Sequence, residues 1–350
     1  MNDISRMLHV LKERKNENFV LVTVIAVEGS AYRHEGAKML INEKGETYGI
    51  ISGGCLETDL IHHALEIFET GKSKVLTYNL TSEDDAGWGQ GAGCNGIVNL
   101  YLEITGWEIW KDENGRAAWE WLDDRLNSGS SVISVKLMSE NNDSDDWFYY
   151  CEDGTFFKRI NYIDENIPDL KNFFAGEGQI KIIALENDER VLLELYTPRV
   201  PLFVFGAGPD VEPLVELASK LDFSIHLIDP RPERCNKENF PMANHFIVDF
   251  PHTYLDGNKL PKNSFVLVMT HHFQRDKDIL HRIRSYPPDY LGILGPKERT
   301  RRLLHPNLLH GNIHSPVGLE IFVEGPEEIA VSICAELIKV KNRKKAGITG

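Results

Sequence analysis

Two of the five cysteines in this 350-residue chain sit among glycines. Cys55 stands in the run Ser52, Gly53, Gly54, Cys55, Leu56, Glu57, directly before a stretch of helical spacing. Cys94 follows Gly93 and precedes Asn95 in the run Gly91 to Gly96. Glycines beside a thiol expose backbone and sulfur together, and the start of a helix favours thiolate over thiol. A thiolate so placed suits a soft metal or a persulfide; the plainer alternative is a small thiol filling the space beside a turn. Cys151, in a strand-like run, and Cys334, in an apolar helical pattern, read as core. Five scattered thiols do not make a disulfide framework and are expected to be free in a reducing compartment.

A second constellation lies further along the chain. Gly206 and Gly208 follow a strand-like run and open a helix, where backbone amides and the helix dipole receive phosphates. Asp229 ends the next strand about twenty residues on, the place of the acid that binds ribose hydroxyls in dinucleotide folds. Arg231 beside it can hold a carboxylate or phosphate, or cap the turn. The third fingerprint position is Val211 rather than glycine, which makes NAD(P) the less favoured ligand. His271 and His272 follow a later strand at the edge where open α/β sheets hold ligands. Lys297, Arg299, Arg301 and Arg302 are either an anion site or a solvated helix face, and Arg33, His34 and Lys38 form a local cation cluster in the first half. His62 and His63 complete no spaced Cys/His quartet, so structural zinc is not expected. No residue is assigned a catalytic role.

The elements that must position these residues are of two kinds. In the first half, a helical stripe at Ile4, Met7, Leu8 and Leu11 precedes a buried-strand run from Phe19 to Val27. A hairpin around Asn42 to Gly45, a helix after Cys55 and strands at 74–80 and 97–104 follow, so residues 1–104 read as one α+β core. Residues 105–198 carry strand runs such as SVISVKLM, WFYYC, IKIIAL and VLLELY and a helical stretch near Ala117 to Leu126. They are expected to extend the first sheet, with a separate small domain as the alternative. From Arg199 the pattern becomes strand, glycine turn, helix, strand, and strands then alternate with helices. The fold class is therefore α/β: an N-terminal α+β domain over 1–198, then a Rossmann-like doubly wound parallel sheet over 199–350.

Residues 1–200 hold 19 basic and 35 acidic residues, whereas residues 201–350 hold 19 and 18. An acidic first half without a basic stripe argues against nucleic acid, because phosphate neutralisation supplies most non-specific affinity. The longest apolar run falls well short of the ~20 residues that span a bilayer, and the start lacks the pattern of a secretory signal. A cytoplasmic protein without a membrane partner is expected.

Together the runs GSAYRHEGAKML, ISGGCLE, WGQGAGCNG, FVFGAGPD, IDPR, YLGILGPKER and HSPVGLEIFVEGPEEIAVSICAE resemble the xanthine dehydrogenase accessory proteins of the XdhC and CoxI type. The resemblance covers residues 19–104 and 201–340. It implies a molybdenum cofactor chaperone of purine catabolism that binds molybdopterin and supports its sulfuration with a cysteine desulfurase. It further implies delivery to an apo-molybdenum hydroxylase of the xanthine dehydrogenase type; a homodimer is expected. The family's cysteine motifs carry the cofactor over to Cys55 and Cys94, with Gly53, Gly54 and Gly93 beside them. Where the family's second motif resembles GCGG, this chain has Asn95 after Cys94, a change that bears on the backbone and not on the thiol. The residues' own chemistry agrees, since thiolates suit a soft metal while glycine amides and cations suit a pterin phosphate. The alternative from another class is an NAD(P)-dependent oxidoreductase built on the Rossmann-like domain. That reading needs an acid/base pair beside the nicotinamide, which the sequence does not display.

Overall fold

The computed structural model describes residues 3–81, 95–109, 111, 117–138, 147–159, 170–175, 179–185, 189–305 and 313–345. The chain divides into two units, Met1–Pro198 and Arg199–Gly350.

In the first unit, α1 (Asp3–Glu13) buries its stripe of Ile4, Met7, Leu8 and Leu11. Strands β1 (Phe19–Ser30), β2 (Lys38–Asn42) and β3 (Thr47–Gly49) follow, and the β2–β3 hairpin turns as the sequence predicts. There the Asn42 side-chain oxygen accepts the N–H groups of Lys44 and Glu46, and Gly45 takes φ +78°. Helix α2 (Glu57–Thr70) ends at Gly71, a left-handed cap whose N–H reaches the Ile67 carbonyl. Strands β4 (Lys74–Asn79) and β5 (Asn95–Thr105) complete an antiparallel sheet of order β3-β2-β1-β5-β4. Val20, Val22 and Val24 face Leu60 and Ala64 of α2, while Phe19 and Leu21 face the core that holds Leu8 and Leu11. With apolar layers on both faces, β1 shows no polar alternation over its first half, and this is why its sequence reads as one continuous apolar run.

Beyond β5, the described residues up to Pro198 do not extend this sheet, and that expectation is corrected. After α3 (Ala118–Asn127) they build a second antiparallel sheet from β6 (Val132–Met138), β7 (Trp147–Cys151), β8 (Phe156–Arg159), β9 (Ile180–Ala184) and β10 (Arg190–Tyr196), in the order β8-β7-β6-β10-β9. A short α4 (Leu170–Ala175) lies between β8 and β9. The two sheets share one core, in which Phe19, Leu21 and Leu40 of the first join Trp147, Tyr149 and Tyr196 of the second. Two ion pairs of opposite sense cross between them: Lys38 Nζ to Glu194 Oε1 at 2.5 Å, and Lys136 to Glu103. Every residue of β6 is buried. A strand enclosed on both faces needs apolar layers above and below it, which an added edge strand of the first sheet would lack.

The second unit is a parallel sheet of order β13-β12-β11-β14-β15-β16. It runs β11 (Val200–Phe205), α5 (Glu212–Ser219), β12 (Phe223–Ile228), β13 (His245–Ile247), α6 (Pro251–Gly257) and β14 (Phe265–Val268). It continues with α7 (Phe273–Ile283), β15 (Tyr290–Ile293), α8 (Lys297–Leu304), β16 (Ile313–His314) and α9 (Gly325–Lys345). Leu214 and Val215 of α5 pack with Ile333 and Leu337 of α9 on one face; Ile279 and Leu280 of α7 pack with Leu303 of α8 on the other. Helices on both faces of a parallel sheet make the Rossmann-like domain that the alternating pattern predicts. The strand order reverses between β11 and β14, and ligands in such sheets lie beyond the carboxyl ends of the strands at that point.

Candidate functional site

Residues 51–56 form the turn between β3 and α2, and hydrogen bonds from side chains hold it. Glu57, in the first turn of α2, accepts the N–H groups of Ile51 and Ser52 and also the Ser52 hydroxyl. The Ser52 oxygen in turn accepts the N–H groups of Gly54 and Leu56. Burial pushes the Glu57 carboxyl upward, but these donors outweigh it and hold the group below the usual carboxylate range. Gly54 takes φ +110°, which excludes a side chain there without strain. The result is an ordered turn with Gly53 and Gly54 exposed and Cys55 half-buried at its end.

The other described cysteines differ. Cys151, Cys235 and Cys334 are buried, as the core reading of Cys151 and Cys334 requires. Burial pushes the Cys334 thiol up to about 12, and the Cys235 thiol, also raised by burial, donates to the Leu227 carbonyl. Cys94 and Gly93 lie outside the described residues. Their neighbour Asn95 begins β5 in register with Ser30, and Gly96 pairs with Gly29. A Cβ on Gly96 would sit 2.5 Å from the Glu28 carbonyl oxygen, so that close pairing requires glycine at 96 and not at 95.

At the switch point of the second unit, the glycine turn has already used much of its hydrogen-bonding capacity. Gly206, at φ +116°, lies so close to β14 that a Cβ would meet the Met269 carbonyl oxygen at 2.4 Å. Its N–H donates to Ile228, the N–H of Ala207 donates to Asp229 Oδ2, and Pro209 has none to offer. Asp229, buried, also accepts from the backbone and the guanidinium of Arg231, through Nε at 2.8 Å and Nη2 at 2.9 Å. Burial works against ionisation of Asp229, yet the Arg231 and Ala207 bonds hold its carboxyl below the usual range. The structure therefore brings Gly206, Asp229 and Arg231 together in a clasp that ties β11 to β12. A Cβ on Gly208 would meet Asp210 Oδ1 at 2.3 Å, and Asp210 Oδ2 reaches across the switch point to His271 Nε2 at 2.8 Å. A carboxylate thus stands where an incoming phosphate would need the helix terminus.

Residues 13–79 match the XdhC and CoxI family, and residues 202–337 match the XdhC Rossmann domain. A Bacillus subtilis (strain 168) protein, described as a probable subunit of xanthine dehydrogenase, is 36% identical over 344 residues, covering 98% of this chain and 99% of its own. The chain belongs to the XdhC and CoxI family. A crystal structure from Bacillus halodurans, described as a xanthine dehydrogenase, aligns with a TM-score of 0.83 at 39% identity over 100% of this chain and 98% of that one. The molybdenum cofactor insertion chaperone PaoD of Escherichia coli (strain K12) is 21% identical over 335 residues, 92% of this chain and 83% of that protein.

In this XdhC and CoxI family member the remaining sequence candidates are dispersed. His272 caps α7 through its own ring, accepting from the Arg275 N–H. Arg299 turns inward to the buried Asp276 at 2.5 Å, Arg301 pairs with Glu298, and the Arg302 guanidinium covers the Phe273 ring, so the three arginines of α8 turn to separate partners. His63 lies among Asp59, Glu66 and Lys74 on the outer face of α2. Among the described residues no group of three His, Cys, Asp or Glu is placed to hold a metal ion. The Arg33, His34, Lys38 cluster separates: the Lys38 ammonium is buried against Thr23 and Glu194, and Arg33 bonds Asp3 and the Ile50 carbonyl.

The spent amides and the Asp210 carboxylate lead to an expected result for nucleotides. A thermal melt in about 1 mM NAD or NADP should lie within about 1 °C of the melt without ligand, because a site stabilises only in proportion to RT ln(1 + [L]/Kd). A rise of several degrees would show that the turn opens to a dinucleotide.

Proposed function

We propose that this chain is an accessory factor that holds the molybdenum cofactor through the thiols of Cys55 and Cys94 and hands it to an apo-molybdenum hydroxylase of the xanthine dehydrogenase type. The observation that carries the reading is the Cys55 turn. Of the four described cysteines it alone is not buried, and it is presented on a backbone fixed by Ser52 and Glu57. Gly53 and Gly54, both exposed, leave room for a bulky ligand to approach the sulfur and backbone amides; Gly93 is proposed to serve beside Cys94 in the same way. The name of the Escherichia coli relative, a cofactor insertion chaperone, supports the same reading, as does the dehydrogenase subunit named in Bacillus subtilis.

A half-buried cysteine on an exposed glycine turn, as at Cys55, fits a carrier that must also release. A sulfuration role follows from the same chemistry: the outer sulfur of a cysteine desulfurase persulfide passes to the thiolate, and the desulfurase thiolate leaves, so no oxidant is consumed. The molybdenum centre of the cargo supplies the redox chemistry of the final hydroxylase. The work of this chain is to bind, shield and orient. Gly206, Gly208, Asp229 and Arg231 serve as the frame of the second unit in this reading, with the cytoplasm as the compartment and a homodimer as the working form.

The test is cofactor content after anaerobic purification. Cys55→Ser should retain at least tenfold less molybdopterin than the wild-type chain, while Cys151→Ala, at matched stability, should retain it. Equal content in the two variants would contradict the assignment.

A further inference from the structure

We propose that the second unit pairs with a second copy of this chain through an acidic apolar finger, residues 320–324, that seats on a basic aromatic patch of the partner. The contact is made twice, once by each chain. The proposal supplies a surface for the homodimer named above, and it rests on that reading for the number of copies alone. The finger lies between β16 and α9, and its base is fixed. The Gly318 N–H donates to Glu336 Oε2 at 2.9 Å, and the Leu319 N–H donates to the Ser332 carbonyl while the Ser332 hydroxyl donates to the Leu319 carbonyl. On the far side the Glu324 N–H donates to Glu328 Oε2 at 2.8 Å.

Between these anchors Ile321 is 50% exposed and Phe322 is 91% exposed. Phe322 also takes φ +57°, a left-handed backbone that a bulky side chain adopts only at a cost. An anchored loop that holds a phenylalanine both in water and in a strained backbone is unfavourable in the single chain. Burial of the ring against a partner removes its apolar surface from water and offsets that cost. The flanking charges say what kind of partner. Glu320 and Glu324 bracket the two apolar residues and Glu327 and Glu328 follow, so an anionic lipid surface would repel the finger. A basic apolar surface would receive it.

The second unit carries such a surface, where the starts of α6 and α7 meet α8. Val248, Phe250 and Phe273 are exposed there. The Arg275 guanidinium lies 5.6 Å from the Phe250 ring centroid, and that of Arg302 lies 5.4 Å from the Phe273 centroid. Neighbouring acids are engaged, Asp276 by Arg299, Glu298 by Arg301 and Asp249 by the Phe250 N–H. Among the described residues neither Arg275 nor Arg302 is within ion-pair distance of a carboxylate. A guanidinium over a ring still offers its edge N–H groups to a carboxylate, so each ring and its arginine can take one apolar residue and one glutamate of the finger. One chain does not serve itself in this way. The finger runs into α9, which packs with α5 on one face of the sheet, whereas α6, α7 and α8 cover the other. When each chain both offers the finger and carries the patch, a two-fold dimer satisfies both contacts and closes.

Sedimentation of the full chain with a charge exchange tests the proposal. Wild-type protein should sediment as a dimer at about 20 µM, and Phe322→Ala should weaken that dimer roughly tenfold or more, because buried aromatic anchors carry much of an interface's energy. A finger variant, Glu320→Arg with Glu324→Arg, and a patch variant, Arg275→Glu with Arg302→Glu, should each be monomeric, since like charges then meet in both contacts. Mixed in equal amounts, the two should dimerise again, because every mixed contact pairs opposite charges. Recovery on mixing also shows that both variants are folded. A monomeric wild type, a dimer unchanged by Phe322→Ala, or two charge variants that fail to pair when mixed would overturn the interface. Molybdopterin content keeps the carrier reading separate. A wild type that dimerises as described but retains no cofactor would sink the carrier reading alone; cofactor retained by a wild type whose dimer survives Phe322→Ala would sink this interface alone.

Discussion

Replacing Lys38 by methionine should destabilise the first unit by about 3–5 kcal/mol, as measured by denaturant unfolding, because it strands a buried carboxylate. Lys38 and Glu194 are each only 3% exposed in their side chains and meet at 2.5 Å between two sheets. Burial pushes Glu194 upward, but Lys38 and then Lys136 outweigh it and hold its carboxyl below the usual range, with the Tyr196 hydroxyl as a further donor. The folded state therefore contains Glu194 as an anion whose favourable partner is Lys38. The sign of the pH dependence follows. A carboxyl depressed in the folded state contributes stability above its unfolded pKa and loses it as pH falls through the folded value. In Lys38→Met the main counter-charge is gone and Glu194 moves upward, so the variant can fold with Glu194 protonated, and the cost of the substitution should be smaller at pH 5 than at pH 8. The double variant Lys38→Met, Glu194→Leu should recover most of the loss, since apolar replacement of a buried pair is often neutral. A single variant within about 1 kcal/mol of the wild type, or a double variant no better than the single, would show that the pair does not join the sheets.

That pair also marks the limit of what the sequence displays. The elements of the first sheet were legible because turn signals such as Asn42 to Gly45 and Gly71 divide apolar runs of strand length. The Rossmann-like domain was legible for the same reason, with its glycine turn between β11 and α5. The stacking of the second sheet on the first was not. Lys38 and Glu194 stand 156 residues apart, and Lys136 within a buried strand reads as a break in an apolar pattern until Glu103 is seen facing it. Strand β16, only Ile313 and His314, is too short to carry a period. At the candidate site the reading of Cys55 as a presented thiol, unlike Cys151 and Cys334, could be made from glycines alone, because glycine spacing reports backbone exposure. The role of Asp229 could not. Its position fits a ribose acceptor, and nothing in the sequence signals that Arg231, two residues later, closes on its carboxylate bidentately.

Titration of His226 should cost the second unit about 2 kcal/mol of stability as pH is lowered from about 7 to 4. Its ring is the middle of a stack that crosses three parallel strands, with Phe203 at 4.5 Å and His245 at 4.2 Å between centroids. The stack is dictated by register, since β11 and β12 pair Phe203 with His226 and β12 and β13 pair His226 with His245. Burial, and secondarily the neighbouring His245, push His226 down to about 4. With an unfolded value near 6.5, protonation begins in the unfolded chain first, so stability is full above about pH 6.5, declines as pH falls, and levels off once the folded ring is protonated near 4. A gap of about 2.5 pKa units corresponds to at most ~3.4 kcal/mol, and solvent at the half-buried ring reduces this to about 2. For a unit of this size that is a fall in melting temperature of roughly 4–8 °C. His226→Phe keeps the stack and removes the titration. Its melting temperature should therefore decline between pH 7 and 4 by that much less than the wild type, and parallel melting curves for the two proteins across this range would place the pH dependence elsewhere.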